Sequence, residues 1–272
     1  MNQINSLNEK TDTTLSLIKS GLRLGINIWI TQPETISFEE NYVKYKARRI
    51  IDEGFKTGNE EEINANYFDF LFIRQDPPFD SKYISNCYLL ETHKNFHDKP
   101  FFVNDPSGIK NFTEKIAPLY FYKFMPDTVI TYREDILRIM LKKHTSVVIK
   151  PLYLKGGEGI TKISAFDKVN IEKFNDLITK YNAPLVIQAF VENVKLGDKR
   201  VILLDGEPIG VVNRIPKSGE FKANLHLGGE AKKTNLTTQE NRICKKLKPF
   251  LIKNKLILVG IDLIDEKLTE IN

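Results

Sequence analysis

Apolar residues in the first hundred positions follow two different periods. Leu15, Ile18 and Leu22 repeat at helical spacing and predict a helix from Thr13 to Leu22. Strand-like runs are predicted at Leu24–Thr31, Phe68–Ile73 and Pro100–Val103, with a helix at Ser81–His93. The polar stretch 56–66 is predicted to be a surface loop. Because strands alternate with helices, this region is expected to be α/β, with βαβ units and a parallel sheet.

The pattern changes near Phe112, where strands follow one another as hairpins. Helices are predicted around Lys115 and at 133–144, 171–181 and 237–254, and strands at 127–131, 147–149, 185–190, 200–204, 208–212, 256–264 and 268–272. Thr237 and Glu240 form a capping box at the last helix. This mixed order predicts an α+β second region. Residues 214–230 have little periodicity, which is typical of a lid or binding loop.

A lysine and a glycine-rich loop follow a buried strand in the second region. The β-branched run before Lys150 ends at a proline, and Gly156, Gly157 and Gly159 come shortly after it. Bare backbone N–H groups opposite an ammonium suit a polyphosphate. The spacing is neither a Walker P-loop nor a GxGxxG motif. Taken alone, the pattern favours a hairpin with a flexible glycine tip and a solvated lysine over a phosphate site.

The last residues of the chain predict a hairpin that carries carboxylates. Asp262 lies within an apolar run, and a three-residue turn at 265–267 would place Ile264 opposite Leu268 and Asp262 opposite Glu270. Asn272 would then point to the same face. Two carboxylates so close repel each other unless a cation lies between them, and this oxygen-only set suits Mg²⁺. The alternative is a solvated hairpin in which Asp262 caps a neighbour. With the lysine and glycines, the hairpin predicts an ATP–Mg²⁺ site.

Arg74 and Asp76 follow a predicted strand of the first region. Open parallel sheets bind ligands beyond the carboxyl ends of their strands, which makes both residues candidates for substrate binding. A rigid turn with a local ion pair is the alternative for this segment.

Composition excludes several classes of function. The chain has 272 residues and a formal charge of +5 from 40 basic and 35 acidic residues, so nucleic acid is not an expected partner. Cys87 and Cys244 lie in apolar patterns and are expected to be buried free thiols in a reducing compartment. No apolar run reaches bilayer length, and the polar start does not look like a signal peptide. A cytoplasmic protein that does not bind a membrane is expected.

Several segments together resemble the prokaryotic-type glutathione synthetases, which are ATP-grasp ligases, over almost the whole chain. The matching segments are Arg74-Gln-Asp-Pro-Pro-Phe-Asp80, Val148-Ile-Lys-Pro-Leu152, Gly156-Gly157, Gly197-Asp-Lys-Arg-Val201, Asp205-Gly-Glu-Pro208, Arg214-Ile-Pro216, Asn224-Leu-His-Leu-Gly-Gly229, Val259-Gly-Ile-Asp262 and Leu268-Thr-Glu-Ile-Asn272. The resemblance implies a Rossmann-like pre-ATP-grasp domain at 1–111 and an ATP-grasp domain at 112–272. It also implies condensation of γ-glutamylcysteine with glycine through an acyl phosphate, with release of ADP and phosphate.

The resemblance also implies roles for individual residues. Lys115 and Lys150 would hold the phosphates of ATP beneath Gly156, Gly157 and Gly159, and Arg200 and Arg214 would act in catalysis by offsetting charge on the transferring group. The remaining implied roles are adenine contact for Gln188, Ala189, Phe190 and Val191, ribose contact for Asp198, substrate binding for Arg74, Asp76, Asn224, Gly228 and Gly229, and Mg²⁺ or Mn²⁺ binding for Asp262, Glu270 and Asn272.

Some positions depart from the family pattern. Leu154 and Lys155 replace small or neutral residues before the glycines, and Lys222 and Glu230 stand where arginines are expected. The chain is expected to begin after the first strand of the family and to stop before a glycine-containing loop. Two alternatives therefore stay open: another ATP-grasp carboxylate–amine ligase, and a nucleotide-binding module without catalysis. Assembly into a homo-oligomer is also left open.

Overall fold

Residues 1–9, 11–223 and 228–272 are described by the computed structural model of the chain, and they form two units, Met1–Asn111 and Phe112–Asn272. The first unit contains α1 Thr13–Arg23, α2 Ser81–Phe96, α3 Pro106–Asn111, β1 Trp29–Thr31, β2 Ser37–Glu39, β3 Tyr42–Ile50, β4 Thr57–Asn64, β5 Phe70–Phe72 and β6 Phe101–Val103. The second contains α4 Glu134–Lys143, α5 Lys168–Tyr181, α6 Thr238–Lys253, β7 Thr128–Thr131, β8 Val147–Pro151, β9 Thr161–Ile163, β10 Leu185–Ala189, β11 Asp198–Leu204, β12 Glu207–Ile215, β13 Glu230–Lys233, β14 Leu258–Ile264 and β15 Lys267–Ile271. Short 3₁₀ helices span Ile4–Ser6, Pro33–Thr35, Ala65–Tyr67, Ala117–Phe124 and Glu192–Leu196.

The first unit contains the predicted parallel pairing. Strands β5 and β6 run parallel, with α2 between them in the chain, so this segment forms the expected βαβ unit. Asp80 caps α2 by accepting a hydrogen bond from the Tyr83 N–H, which explains why the helix begins after this residue. The unit also holds an antiparallel sheet in which β3 pairs with β1, β2 and β4. That second sheet was not predicted.

The prediction of a surface loop at 56–66 is wrong. Residues Thr57–Asn64 form β4, which lies antiparallel to β3. The strand was missed because it contains three consecutive glutamates, and glutamate is less common in strands than elsewhere. Two of the three, Glu60 and Glu62, lie opposite the basic Arg48 and Lys46 on β3, and Glu60 accepts a hydrogen bond from Arg48 at 3.2 Å. Opposite charges therefore stabilise this edge strand, and the same charges protect it from pairing with other chains.

In the first unit, one further boundary differs from the prediction and one strand was missed. The strand predicted at Leu24–Thr31 begins only at Trp29, because α1 extends to Arg23 and Gly25 then takes a φ of +74°. Strand β3 was missed although Val43, Tyr45 and Ala47 alternate along it and are buried. Its period of two is the signal that would have predicted it.

The second unit contains two antiparallel sheets, as the α+β prediction requires. One has the order β7-β10-β8-β9 and packs against α4 and α5 through a core that includes Leu137, Ile149 and Phe174. The other has the order β13-β12-β11-β14-β15, and α6 covers one of its faces. The capping box of Thr237 and Glu240 is present at the start of α6. Cys87 and Cys244 are buried free thiols, as predicted.

The helix predicted around Lys115 is displaced along the chain. A 3₁₀ helix begins at Ala117, and Lys115 lies in the turn that leads into it. Within the described part of the chain, no helix is both long and apolar enough to cross a membrane.

Candidate functional site

The hairpin β14–β15 differs from the prediction in its turn. The turn has two residues, Asp265 and Glu266, with φ values of +51° and +58°, so Ile264 faces Lys267 rather than Leu268. Positive φ at both central positions is the geometry of a type I′ turn, whose twist matches that of the strands. The prediction of a three-residue turn is therefore wrong.

Asp262 nevertheless lies opposite Glu270, as predicted. The register shifts by one residue between Asp262 and Leu263, and Thr269 is the additional residue on β15. The Thr269 hydroxyl donates to the Asp262 carbonyl oxygen at 3.1 Å. This β-bulge restores the pairing that the shorter turn would otherwise have moved by one position, and it brings both carboxylates to the same face of the sheet.

Two arginines on neighbouring strands bind Asp262. Arg200 lies directly opposite it on β11 and forms a bidentate pair, with 2.8 Å between Nη2 and Oδ2. Arg214 on β12 approaches Oδ1 of the same carboxylate at 2.9 Å and donates to Oδ2 of Asp198 at 2.6 Å. Alternating charges thus cross three strands on the face of the sheet opposite α6. Such pairs form because a buried carboxylate needs a hydrogen-bonded cation.

Two lysines bring the phosphate-loop region to the same corner. The Lys150 ammonium on β8 lies 3.4 Å from Oε1 of Glu270. The Lys115 ammonium donates to Oε1 of Glu114 and to the carbonyl oxygen of Leu154, both at 2.7 Å. The two carboxylates of the hairpin are therefore surrounded by cations of the protein itself, which balance their repulsion without any bound ion.

The charges at this corner shift one another's protonation. Burial acts to raise the pKa of Glu270, but the charges of Lys115 and Lys150 hold this pKa well below its usual range. Burial also opposes ionisation of Asp262, whose pKa is held low by Arg200 and Arg214. Both hairpin carboxylates are therefore anionic at neutral pH and able to bind a cation.

Two further carboxyl groups have the opposite shift. Burial, together with the neighbouring charge of Glu270, raises the pKa of Glu114 to about 8. Burial and the charge of Asp262 raise the pKa of Asp198 to about 6. Four carboxyl groups thus share the corner with four cationic side chains, and perturbed acids of this kind are concentrated at functional sites.

The glycine loop between β8 and β9 has the backbone that its sequence suggests. Gly156, Gly157 and Gly159 have φ values of +70°, +80° and +69°, in the left-handed region that favours glycine. A Cβ on Gly159 would lie 2.6 Å from Cγ of Pro151. The hydrogen bond from Lys115 to Leu154 holds the start of this loop beside the charged corner.

Replacing Gly159 with alanine is expected to weaken nucleotide binding and to destabilise the second unit by more than the ~1–2 kcal/mol cost of left-handed backbone. The added methyl would also push against Pro151, next to Lys150. Gly25→Ala is the matched control, because Gly25 has a φ of +74° and open space around it. Thermal unfolding and ADP titration of both variants measure the difference. Equal effects of the two substitutions would contradict a packed loop.

The segment matched to the adenine hinge lies at the end of β10. Gln188 is 3% exposed, and its amide donates to the Thr128 hydroxyl at 2.9 Å. The N–H groups of Ala189 and Phe190 donate to the carbonyl oxygens of Asp127 and Ser146. Asp198 is bound to Arg214, and its buried Oδ1 atom has no hydrogen-bond partner among the described residues. The ribose role for Asp198 remains a prediction, and the same carboxylate also orients Arg214.

The predicted substrate residues fall in different parts of the chain. Arg74 Nε donates to the Thr14 hydroxyl at 3.1 Å, and Asp76 accepts from the Asn2 amide at 2.8 Å, both within the first unit. Asp76 lines a cavity of about 570 Å³ in that unit. Gly228 and Gly229 precede β13 in the second unit. Asn224 lies outside the described residues.

The chemistry of the hairpin fits a hard divalent ion. Asp262 and Glu270 offer anionic oxygens, and the Asn272 amide lies 3.5 Å from Oδ2 of Asp262. Within 1–9, 11–223 and 228–272, no three His, Cys, Asp or Glu side chains form a metal-binding group. Mg²⁺ commonly takes one or two protein carboxylates and completes its shell with phosphate oxygens and water. The side-chain oxygens of Asp262, Glu270 and Asn272 are consistent with this mode of Mg²⁺ binding.

Sequence reasoning missed several polar and aromatic residues at this site. Glu114 was not selected, although its neighbour Lys115 was, because a single glutamate next to a lysine looks like a solvated pair. Thr128, Lys162 and Phe221 also contact hinge residues and carry no motif. Their positions depend on strand pairing that brings residues distant in the chain together, and a single sequence does not give that pairing.

Comparison with known proteins identifies both units. Residues 1–110 match the family model described as the prokaryotic glutathione synthetase N-terminal domain, and residues 114–272 match the prokaryotic glutathione synthetase ATP-grasp domain. The chain is 34% identical to the glutathione synthetase of Mesorhizobium japonicum, covering 100% of this chain and 88% of that protein. It is 36% identical to that of Bradyrhizobium diazoefficiens, covering 100% and 87%.

Solved structures support the same architecture. The ATP-grasp ligase PsnB, in complex with the precursor peptide PsnA2 and AMPPNP, superposes with a TM-score of 0.59 at 12% identity, over 96% of this chain and 86% of that one. The D-cycloserine synthetase DcsG gives a TM-score of 0.58 at 12% identity, over 77% of each chain. These similarities show the fold, and the predicted order of an N-terminal domain followed by an ATP-grasp domain is confirmed. The chain belongs to the prokaryotic glutathione synthetase family of ATP-dependent carboxylate–amine ligases.

Proposed function

We propose that this chain joins γ-glutamylcysteine to glycine with hydrolysis of ATP to ADP and phosphate. The new peptide bond forms between the free cysteinyl carboxylate of γ-glutamylcysteine and the amine of glycine. The observation that carries the proposal is the corner where Lys115, Lys150, Arg200 and Arg214 meet the carboxylates of the β14–β15 hairpin. The family to which the chain belongs supports the same reaction. Transfer of the γ-phosphoryl group to the cysteinyl carboxylate gives ADP and an acyl phosphate, and the glycine amine then displaces phosphate to form the peptide bond.

The residues at this corner act by position and charge. Lys150 and Lys115 hold the phosphate oxygens, while the backbone N–H groups of the glycine loop approach from the other side. Arg200 and Arg214 offset the charge that the transferring group places on its oxygens. Phosphoryl transfer needs little covalent chemistry from the protein, so these electrostatic contributions account for most of the catalysis.

A divalent ion would be held by Asp262, Glu270 and Asn272, and we propose Mg²⁺, with Mn²⁺ as a substitute. When bound, such an ion neutralises and orients the phosphate oxygens of the nucleotide. Arg200 and Arg214 both contact the Asp262 carboxylate and keep it oriented. Lys150 links Glu270 to the phosphate loop.

The test is product formation by the purified chain. With ATP, MgCl₂, γ-glutamylcysteine and glycine, we expect one ADP and one phosphate for each glutathione, measured by coupled ADP release and by mass spectrometry of the thiol product. Omission of either γ-glutamylcysteine or glycine should abolish sustained turnover. Faster turnover with another amine, such as alanine or serine, would instead identify a different carboxylate–amine ligase. ADP binding without any product would indicate a nucleotide-binding module.

Two broader properties belong to the same proposal. We propose a cytoplasmic location, because the reaction consumes ATP, and assembly into a homo-oligomer. Fractionation of cells that produce the chain measures its location, and light scattering after size-exclusion chromatography measures its oligomeric state.

A further inference from the structure

His93 lies in the last turn of α2 and is 0% exposed. Its Nδ1 atom lies 3.0 Å from the Val43 backbone nitrogen, and its Nε2 atom lies 3.0 Å from the Lys99 carbonyl oxygen. A backbone N–H only donates and a carbonyl oxygen only accepts, so Nδ1 accepts from Val43 while Nε2–H donates to Lys99. Both contacts together require a neutral imidazole.

The hydrogen bond from Val43 to His93 replaces a bond to a neighbouring strand. The β3–β4 ladder ends at the pair of Lys44 with Asn64, so Val43 has no partner on β4 in that ladder. Val43 is itself 0% exposed, and its N–H would be buried without a partner if the imidazole moved away. Because an unsatisfied buried donor is costly, this bond ties β3 of the antiparallel sheet to α2 of the βαβ segment.

His97 extends the same contact to the turn of the β2–β3 hairpin. The turn residues Glu40 and Asn41 have φ values of +51° and +70°, as in a type I′ turn. The Nε2 atom of His97 lies 2.9 Å from the Asn41 carbonyl oxygen. Its ring stacks on that of Tyr42, with centroids 4.2 Å apart and 20° between the ring planes. The end of α2 therefore holds both the turn of this hairpin and the beginning of β3.

The groups that face His93 do not favour a positive charge on its ring. From β3 it meets the Tyr42 ring, with 6.3 Å between centroids, and the backbone N–H already described. From the residues after α2 it meets the His97 ring at 4.6 Å and a carbonyl oxygen that the neutral ring already binds. The charged side chains of adjoining residues are paired elsewhere, Lys94 with Asp105 and Lys99 with Asp69.

A proton added to His93 would break the contact with β3. The added proton would lie on Nδ1 and point at the Val43 N–H, so two donors would face each other. Burial lowers the pKa of His93, and a charge on His97 lowers it further, against the opposing effect of the Lys99 carbonyl. An exposed histidine has a pKa of about 6.5, so the open state takes up a proton that the closed state excludes. The closed contact is therefore fully stable above this pH and loses stability as the pH falls.

We propose that His93 and His97 form an acid-sensitive clasp that holds the β2–β3 hairpin on α2, and that a proton taken up by His93 opens it. The clasp is closed at neutral pH. It is a conformational device of the first unit and shares no residue with the charged corner of the second. Acidification therefore loosens the unit that carries Arg74 and Asp76 while the second unit stays folded.

Amide hydrogen exchange of the whole chain, resolved by NMR between pH 5.5 and 7.5, tests the clasp. The readout is the protection factor of the Val43 N–H, the intrinsic exchange rate divided by the observed rate, which removes the pH dependence of the exchange chemistry. One histidine that is protonated only in the open state, with a pKa of about 6.5 there, predicts about a tenfold fall in protection from pH 7.5 to pH 5.5. The Ile149 N–H, on β8 of the second unit, is the internal reference and should keep its protection.

Two substitutions remove the titrating ring and leave an uncharged amide in its place. His93→Asn provides an oxygen that can accept from the Val43 N–H, and His93→Gln provides an N–H that can donate to the Lys99 carbonyl oxygen. Both variants should be less stable than the wild type. In both, the ratio of β3 protection at pH 7.5 to that at pH 5.5 should fall from about ten to near one. His144→Asn changes a half-buried histidine of the second unit, bound to Asp127, and is the matched control that should keep the tenfold ratio.

Three results would overturn the clasp. Protection of Val43 that does not change with pH in the wild type shows that no proton opens the contact. A tenfold fall that persists in both His93 variants shows that other groups cause it. An equal fall at Val43 and Ile149 shows acid unfolding of the whole chain. If neither variant folds, the imidazole chemical shifts of His93 in the wild type decide, because a ring that titrates near pH 6.5 in the folded chain contradicts the proposal.

Discussion

Asp262→Asn is expected to reduce turnover by about a thousandfold, the upper end of the loss seen when one preorganised charge-stabilising group is removed from an active site. The substitution keeps the shape of the side chain but removes its charge. Arg200 and Arg214, which both bind this carboxylate, would then share a neutral amide, and the proposed divalent ion would lose an anionic oxygen. Initial rates across a range of Mg²⁺ concentrations measure the loss, and the Mg²⁺ concentration for half-maximal rate should rise.

The same substitution is expected to lower the stability of the second unit. Removing one partner of a buried ion pair costs about 3–5 kcal/mol, because the other charge is left without compensation. Asp176→Asn, at an exposed position on α5, is the matched control and should change neither rate nor melting temperature. Full activity in folded Asp262→Asn would remove Asp262 from the site.

Lys150→Met is expected to lower kcat/KM for ATP by about a hundredfold to a thousandfold. Methionine retains most of the aliphatic side chain in its buried position but cannot donate to a phosphate oxygen. Glu270 keeps the charge of Lys115 nearby, so the loss should appear in nucleotide use more than in folding. Steady-state kinetics with varied ATP, together with thermal unfolding, separate these two effects.

Two comparisons make the Lys150 result specific. Lys173→Met changes an exposed lysine of α5 in the same unit and should behave as the wild type. Binding of inorganic tripolyphosphate, measured by isothermal titration calorimetry, should weaken together with ADP binding in Lys150→Met. If ADP binding weakens and tripolyphosphate binding does not, Lys150 does not contact the phosphates.

Much of this site could be predicted from sequence because its residues lie at the ends of strongly patterned strands. Asp262 is conspicuous within an apolar run, and alternation along β15 then places Glu270 and Asn272 on the same face. The pairing of Asp262 with Glu270 was correct although the turn was wrong. The bulge at Thr269 compensated for the shorter turn, and no propensity in the sequence reveals a bulge of this kind.

The remainder could not be predicted, because it depends on contacts between segments far apart in the chain. Asp198 pairs with Arg214 through the β11–β12 register, and Glu114 reaches the corner because the Ile271 N–H donates to its carbonyl oxygen at 3.0 Å. In the first unit, the charged strand β4 was misread because its stability comes from the basic residues of β3 opposite it. Periodicity reports which face of an element is buried, but it does not report which element covers that face.

Because the β-bulge at Thr269 shifts the register by one residue, the number of residues between Ile264 and Glu270 determines which face of the sheet the Glu270 side chain occupies. Successive strand residues point to opposite sides, so one residue inserted or deleted between Ile264 and Glu270 would turn a carboxylate toward the apolar layer under α6. Related chains can therefore vary the length of this turn only in compensating pairs: a longer turn requires a regular strand after it, and a shorter turn requires a bulge.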